Sequence, residues 1–177
     1  MQLDLTRYRQ PLGHFSRVFQ PEEVAQEGDA YRIVAPVQLD FEIQKDKVRF
    51  RLVGTAATEL ELPCSRCLEP YRLVVNAPFD LRYHPVSEMS QEEEREVGEN
   101  DLETSYYQDD QIDLNELLRE QFYLALPMKP LCAEDCKGLC PVCGKNLNRE
   151  TCDCNRTWDD PRMAALRATL REVGNDK

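Results

Sequence analysis

The stretch Val37-Gln-Leu39-Asp-Phe41-Glu-Ile43 alternates apolar and polar residues, which is the pattern of a β-strand with one buried face. After a polar break at Lys45-Asp46, the alternation resumes in Val48-Arg-Phe50-Arg-Leu52, so the two segments are predicted to form a hairpin. The same pattern recurs in Leu60-Glu-Leu62, Tyr71-Arg-Leu73-Val-Val75 and Phe79-Asp-Leu81-Arg-Tyr83. The sequence therefore predicts an antiparallel sheet or an open barrel over residues 31–83.

Helical patterns appear only after this region. Asp113 is predicted to cap a helix over 112–127, because an apolar stripe at helical spacing follows it and Pro127 ends it. A short terminal helix is predicted from Asp160-Pro161 towards Gly174. The predicted fold class is α+β: an antiparallel sheet or open barrel, then a helix, then a cysteine-rich, zinc-binding C-terminal segment with a short terminal helix.

The acidic charge of the chain is local. The formal net charge is −11, and residues 85–126 alone contain two basic and thirteen acidic residues. A polar stretch with few apolar residues is typical of a solvated tether, although it could also contact a basic partner such as a ribosomal protein. The predicted organisation is an antiparallel β domain (1–84), an acidic linker or loop (85–111), a helix packing on the sheet (112–127), and a zinc-binding segment with the C-terminal helix (128–177).

The first residues give an expectation about the cellular compartment. Residues 1–20 contain no export signal, and the sequence has no apolar run long enough to span a bilayer. We therefore expect a cytoplasmic protein without membrane contact. In a reducing cytoplasm, closely spaced cysteines are more often metal ligands or redox thiols than structural disulfides.

Eight cysteines are the main candidates for chemistry. The sharpest signal is Cys140-Pro-Val-Cys143-Gly144, because two thiols separated by two residues share one side of a tight turn and the glycine relieves strain after it. Zinc is bound tetrahedrally by four such ligands, so the first predicted zinc site comprises Cys140, Cys143, Cys152 and Cys154.

A second zinc site is predicted as a hypothesis. It comprises Cys64, Cys67, Cys132 and Cys136, and would attach the segment after the helix to the sheet. An alternative grouping places Cys136 with Cys140 and Cys143 in one site, since the loop between them is short. The cofactor prediction is therefore zinc, with one site or two.

The sequence contains no catalytic constellation, so we predict that the protein is not an enzyme. It has no glycine-rich phosphate loop, nucleophile elbow or His-Glu-x-x-His motif, and no small-molecule substrate is evident. Both histidines, His14 and His84, are distant in sequence from the late cysteines, which argues against an open catalytic zinc site.

Two alternative functions remain open from the residues alone. Cys64 and Cys67 could serve a thiol-redox enzyme or a redox-controlled chaperone, although strand pattern rather than a helix follows them. The second alternative function is that of a zinc-ribbon module that binds nucleic acid. Arg49 and Arg51 share one strand face and could meet phosphates, but the chain lacks a concentrated basic surface.

Three motifs in order resemble the bacterial and plastid YceD family. They are Cys64-Ser-Arg-Cys67-Leu-Glu-Pro70, the helix from Ile112 to Pro127, and Cys136-Lys-Gly-Leu-Cys140-Pro-Val-Cys143-Gly144. The later Asn146-Leu-Asn148, Cys152-Asp-Cys154 and Asp160-Pro-Arg162 are similar to a cysteine-bearing branch of that family.

Members of the YceD family are described as large ribosomal RNA subunit accumulation proteins. The resemblance implies a non-catalytic role in the synthesis, stability or accumulation of 23S ribosomal RNA during large-subunit biogenesis. It implies the assembling large subunit, a ribosomal protein or ribosomal RNA as partner, and it carries over no catalytic residue.

Overall fold

The computed structural model of the protein describes residues 1–89, 104–154 and 161–163. Backbone contacts divide the chain into a first unit, residues 1–65 and 69–132, and a second unit, residues 66–68 and the chain from 133. Among the described residues, every β-strand and α-helix belongs to the first unit. In chain order they are β1 (Gln2–Asp4), β2 (Leu12–Phe19), α1 (Pro21–Val24), β3 (Arg32–Ile33), β4 (Val37–Asp46), β5 (Arg49–Pro63), β6 (Pro70–Pro85), α2 (Val86–Met89), β7 (Thr104–Tyr107), β8 (Gln111–Asp113) and α3 (Leu114–Ala125).

A six-stranded sheet forms the centre of the first unit. Its order is β2-β4-β5-β6-β7, with β3 pairing to the far part of β5. Neighbours are antiparallel except β6 and β7, which run parallel, and β1 pairs with β8 in a separate two-stranded sheet. The predicted α+β class with a mostly antiparallel sheet is confirmed, and the described strands do not close into a barrel.

The predicted hairpin is formed by β4 and β5. Asp46 pairs with Arg49 across the turn, and Lys47 adopts a φ of 56°, which lets the chain reverse in two residues. From Val37 to Ile43, every second residue of β4 faces the core and is at most 1% exposed: Val37, Leu39, Phe41 and Ile43. Each such side chain contributes about 1.5–3 kcal/mol through burial, so the alternation fixes which face of the strand turns inward.

Helix α3 packs against this core with one apolar stripe. The Asp113 carboxylate caps the helix by accepting a hydrogen bond from the Asn115 N–H at 2.8 Å. The helix ends at Ala125, two residues before Pro127, which cannot continue it. Its buried residues are Leu114, Leu117, Leu118, Gln121 and Phe122.

Some elements differ from the predicted pattern. The region 85–111, predicted as a linker or loop, contains α2, β7 and the start of β8, while its residues 90–103 lie outside the described part. Strand β5 continues without a break through 15 residues, where the sequence showed two separate segments. The predicted terminal helix lies almost wholly outside the described residues, which include only a 3-10 turn at Pro161–Met163.

The second unit is built from turns rather than from regular elements. Over 133–154, the only β-pairing that the structure describes is the isolated bridge between Leu139 and Asn146.

The described part of the chain has no helix with the length and apolar character needed to cross a membrane.

Candidate metal centres

The turn between β5 and β6 presents the first pair of cysteines. The Cys64 N–H donates to the Glu69 carbonyl at 2.9 Å, and Leu68 adopts a φ of 61°, so the chain reverses tightly. Cys64 is 0% and Cys67 4% exposed. The turn therefore holds two buried thiols, in the position between two strands that the sequence predicts.

Within the first unit, a hydrogen bond brings the segment after α3 to this turn. The Ser65 N–H donates to the Pro130 carbonyl at 2.8 Å, two residues before Cys132. Burial raises the pKa of Tyr71, and the nearby sulfurs of Cys64 and Cys132 raise it further because they disfavour a second negative charge. Cys64 and Cys132 thus share one electrostatic environment.

Within the second unit, Arg66 fixes the loop that carries Cys136. Its guanidinium donates to the carbonyls of Glu134 at 3.1 Å and Cys136 at 2.9 Å. The backbone also approaches closely, because a Cβ on Gly138 would lie 3.0 Å from the Arg66 carbonyl oxygen, and Gly138 adopts a φ of 72°. Arg66 therefore orders the backbone of this loop.

Asn148 supports the same loop from its other side. Its side-chain oxygen accepts from the Lys137 N–H at 2.8 Å, and its side-chain nitrogen donates to the Cys136 sulfur at 3.3 Å. A donor aimed at a ligand sulfur fixes the position of that sulfur. Sequence reasoning missed this role; the only signal was a polar Asn146-Leu-Asn148 segment close to the cysteines.

The four thiols of this region form one group. The sulfur atoms of Cys64, Cys67, Cys132 and Cys136, called the first quartet below, all lie within 4.8 Å of one another. Cys132 is exposed, whereas the other three are buried. The structure therefore places Cys136 here, and not with Cys140 and Cys143.

The Cys140–Gly144 segment forms a second tight turn. The Cys140 N–H donates to the Lys145 carbonyl at 2.8 Å, and the Gly144 N–H donates to the Cys140 carbonyl at 2.9 Å. Backbone N–H groups of Cys143 and then Val142 bond the Cys140 sulfur and lower the pKa of that thiol to about 6. The turn thus prepares Cys140 to act as a thiolate.

Four thiols meet at this turn as well. The sulfur atoms of Cys140, Cys143, Cys152 and Cys154, called the second quartet below, all lie within 4.8 Å of one another. The pKa of Cys154 is raised to about 12, first by its hydrogen bond with Cys143 and then by burial. A raised thiol pKa beside other sulfurs is expected at a site where a bound cation would compensate the negative charge of the thiolates.

Both quartets fit tetrahedral zinc. Zinc–sulfur distances of about 2.3 Å place the four sulfur atoms of such a site about 3.8 Å apart. The 4.8 Å limit within each quartet is compatible with that spacing after small side-chain adjustments. An all-cysteine set leaves no open coordination position, which is the arrangement of a structural site rather than a catalytic one.

The two histidines lie outside both quartets. His14 Nε2 is 3.2 Å from the Asp40 carboxylate, and the His84 ring contacts the Tyr106 ring with centroids 6.4 Å apart. Neither histidine belongs to a candidate metal group among the described residues.

The arginines on the strand face are partly neutralised by acidic neighbours. Arg51 Nε donates to Asp80 Oδ1 at 2.7 Å, and a second contact joins the same two side chains. That hydrogen bond, together with the charges of Arg51 and Arg82, lowers the pKa of Asp80. Arg49 pairs in register with Asp46 across the hairpin. This face therefore carries acidic residues beside its arginines.

The protein is thus of the α+β class. It combines an open sheet with a cysteine-rich C-terminal part, and its eight cysteines form two groups of four. The family described as "Large ribosomal RNA subunit accumulation protein YceD" matches residues 52–169, more than half of the chain. The chain belongs to the YceD family, and the resemblance drawn from the motifs is confirmed.

Relatives come from plants and bacteria. The large ribosomal RNA subunit accumulation protein YCED homolog 1, chloroplastic, of Arabidopsis thaliana is 29% identical over 163 residues, 80% of this chain and 50% of that protein. An uncharacterized protein of Mycobacterium tuberculosis is 32% identical over 172 residues, 94% of this chain and 79% of that protein. An uncharacterized protein of Bacillus subtilis is 26% identical over 163 residues, 89% of this chain and 88% of that protein.

This chain spans half the length of the Arabidopsis thaliana relative. No solved structure gives a significant match to this chain.

Proposed function

We propose that this protein is a non-catalytic factor in large-subunit biogenesis that supports synthesis, stability or accumulation of 23S ribosomal RNA. The observation that carries the proposal is the family match over residues 52–169, together with the name of the plant relative. The closed, all-cysteine metal groups agree with a scaffold and offer no position for a substrate.

In this proposal both quartets hold zinc, and the ion has a structural task. Zinc supplies four strong bonds that hold turns in place where few apolar residues are available to do so. The Arg66 and Asn148 contacts orient the ligand-bearing loop before binding, as outer hydrogen bonds do in known zinc sites. Metal analysis of reduced, purified protein is expected to give two zinc ions per chain.

The proposed partners are the assembling large subunit, one of its proteins or its RNA, and the proposed compartment is the cytoplasm. The acidic residues concentrated in 85–126 favour a basic ribosomal protein as the contact of that segment, because opposite charges steer association. The strand-face arginines support an RNA contact less well, since Arg51 already meets Asp80.

The alternative functions have less support. A thiol-redox enzyme using Cys64 and Cys67 requires an accessible thiolate, and both residues are buried. A zinc-ribbon module for duplex DNA requires many phosphate contacts from cations, which the acidic residues beside Arg49 and Arg51 do not favour.

Depletion of the protein in its own host tests the proposal. We expect 23S ribosomal RNA to fall relative to 16S ribosomal RNA, and the tagged protein to sediment with precursor large subunits. Complementation with the wild-type chain is the positive control, and a Cys140→Ser, Cys143→Ser chain tests the zinc scaffold. A clean deletion with an unchanged RNA ratio would contradict the proposed role.

Crosslinking in cells separates the candidate partners. RNA and protein recovered with the tagged chain are identified together. Recovery of 23S ribosomal RNA without a ribosomal protein favours direct RNA binding, and recovery of a basic ribosomal protein without RNA favours an escort role.

A further inference from the structure

The two quartets differ in how their sulfur atoms meet solvent. In the first quartet, three cysteines are buried and Cys132 alone is exposed. In the second quartet, only Cys140 is buried; Cys143 is exposed, and Cys152 and Cys154 are half-buried. A small oxidant in solution therefore reaches more of the sulfur in the second quartet.

The position of Cys143 adds to this difference. It lies three residues after Cys140 in a tight turn closed by the Gly144 N–H bond to the Cys140 carbonyl at 2.9 Å. Lys145 follows this turn; its ammonium pairs with the Glu150 carboxylate at 3.2 Å and also interacts electrostatically with the sulfurs of Cys143 and Cys152. A nearby cation and solvent access are the two features of cysteines that react with peroxides.

We infer that the second quartet is a peroxide-sensitive zinc site, in which Cys143 is oxidised first and Cys140 then forms a disulfide with it, while the first quartet keeps its metal. This inference rests on the zinc binding proposed above. It gives the two sites different tasks, since the first maintains structure and the second responds to hydrogen peroxide.

The chemistry balances with hydrogen peroxide as the oxidant. The Cys143 thiolate attacks one peroxide oxygen, so a sulfur–oxygen bond forms, the oxygen–oxygen bond breaks and hydroxide leaves. The Cys140 thiolate then attacks the Cys143 sulfur, a disulfide forms and a second hydroxide leaves. The two thiolates lose two electrons in total, and the quartet is left with two thiolates that no longer retain the ion.

Zinc release from the reduced holoprotein tests the inference. Hydrogen peroxide is added in the presence of a colorimetric zinc indicator, and the disulfides are mapped by mass spectrometry after alkylation of free thiols. We expect one zinc ion per chain to be released at least tenfold faster than the other, together with a Cys140–Cys143 disulfide. Release of both ions at one rate, release of neither, or a disulfide within the first quartet would overturn the inference.

Two variants form a matched pair, because each removes the exposed thiol of one quartet. Cys132→Ser is expected to retain the fast, peroxide-dependent release, and Cys143→Ser is expected to lack it. The reverse pattern contradicts the assignment. The wild-type disulfide map keeps the test decisive even if one variant folds poorly.

Metal content, measured first, separates this inference from the proposal on which it rests. Protein that binds no zinc overturns both. Two zinc ions per chain with no response to peroxide overturn only the inference.

Discussion

Asp29 is a buried carboxylate that depends on one arginine. Its side chain is 5% exposed, and it accepts from Arg119 Nε at 2.8 Å and from the Tyr123 hydroxyl at 3.2 Å. The Ala30 N–H donates to the same hydroxyl at 3.1 Å, so the small network fixes the loop before β3 against α3.

Replacing Arg119 by alanine is expected to lower the free energy of unfolding clearly, because the buried Asp29 carboxylate then loses its main partner. Urea unfolding followed by circular dichroism measures it. The matched control is Arg7→Ala, whose Nε lies 3.2 Å from Asp4 in an exposed pair, and which should change stability by less than about 0.5 kcal/mol. Equal losses in both variants would contradict the role given to burial.

The low pKa of Cys140 gives zinc binding a defined pH dependence. In the second quartet the Cys140 thiolate is favoured above its usual pKa of 9.0 and remains so until the pH falls through about 6. We expect zinc affinity to fall as the pH is lowered from 7 to 5.5, because protons compete with the ion for the thiolates, and to fall more steeply below about pH 6, where Cys140 also takes up a proton. Competition with a chelator at several pH values measures this, and an affinity independent of pH across that interval would contradict thiolate ligation.

Cysteine spacing suggested two groups of four thiols but left Cys136 open between them, and the structure brings its sulfur to those of Cys64, Cys67 and Cys132. The supporting residues were not predictable in the same way. The bonds of Arg66 to the Cys136 carbonyl and of Asn148 to the Cys136 sulfur join residues 70 and 12 positions apart. Such contacts depend on the folded path of the loop, which the sequence does not reveal.

Among the elements, the β4–β5 pair has a contact that tolerates only glycine. A Cβ on Gly54 would lie 2.1 Å from the Asp40 carbonyl oxygen and 2.3 Å from the Phe41 Cβ. Backbone atoms of the central hairpin cannot move aside without breaking the pairing between the strands.

Gly54→Ala is therefore expected to destabilise the protein by about 3 kcal/mol or more, or to prevent its accumulation in soluble form. Gly13→Ala is the matched control: the nearest atom to its added Cβ is the Tyr8 ring at 2.6 Å, and a side chain can rotate away. Thermal unfolding compares the two. A Gly54 variant as stable as the Gly13 variant would show that the hairpin can separate locally.

Regular alternation was predictable, and irregular strands were not. β4 was evident because each second residue is large and apolar. The middle of β5, Gly54 to Thr58, consists of small residues, so a continuous strand looked like two segments. In β2, Gly13 and Arg17 occupy positions where alternation requires apolar residues, and β7 lies in an acid-rich part of the sequence. These two strands form because they pair with β4 and β6, and their own sequence pattern does not reveal them.

At the scale of the whole molecule, each of the two units is stabilised by a different kind of interaction. The first has a continuous apolar core, and the second relies on turn hydrogen bonds such as the Cys140 N–H to the Lys145 carbonyl. We expect removal of zinc by a chelator to increase amide hydrogen exchange at least tenfold over 133–154, with little change in β4 and β5. Reduced protein without chelator is the control. Equal loss of protection in both units would show that the sheet also depends on the metal.

The parallel pairing of β6 with β7 bears on how the protein can be engineered. Four residue pairs, from Arg82 with Thr104 to Pro85 with Tyr107, hold the two strands in register irrespective of the chain that connects them. A flexible linker inserted together with a reporter costs only about 0.6 kcal/mol for each doubling of its length. A fluorescent reporter inserted between these strands should consequently leave the sheet intact and allow the protein to be followed in living cells.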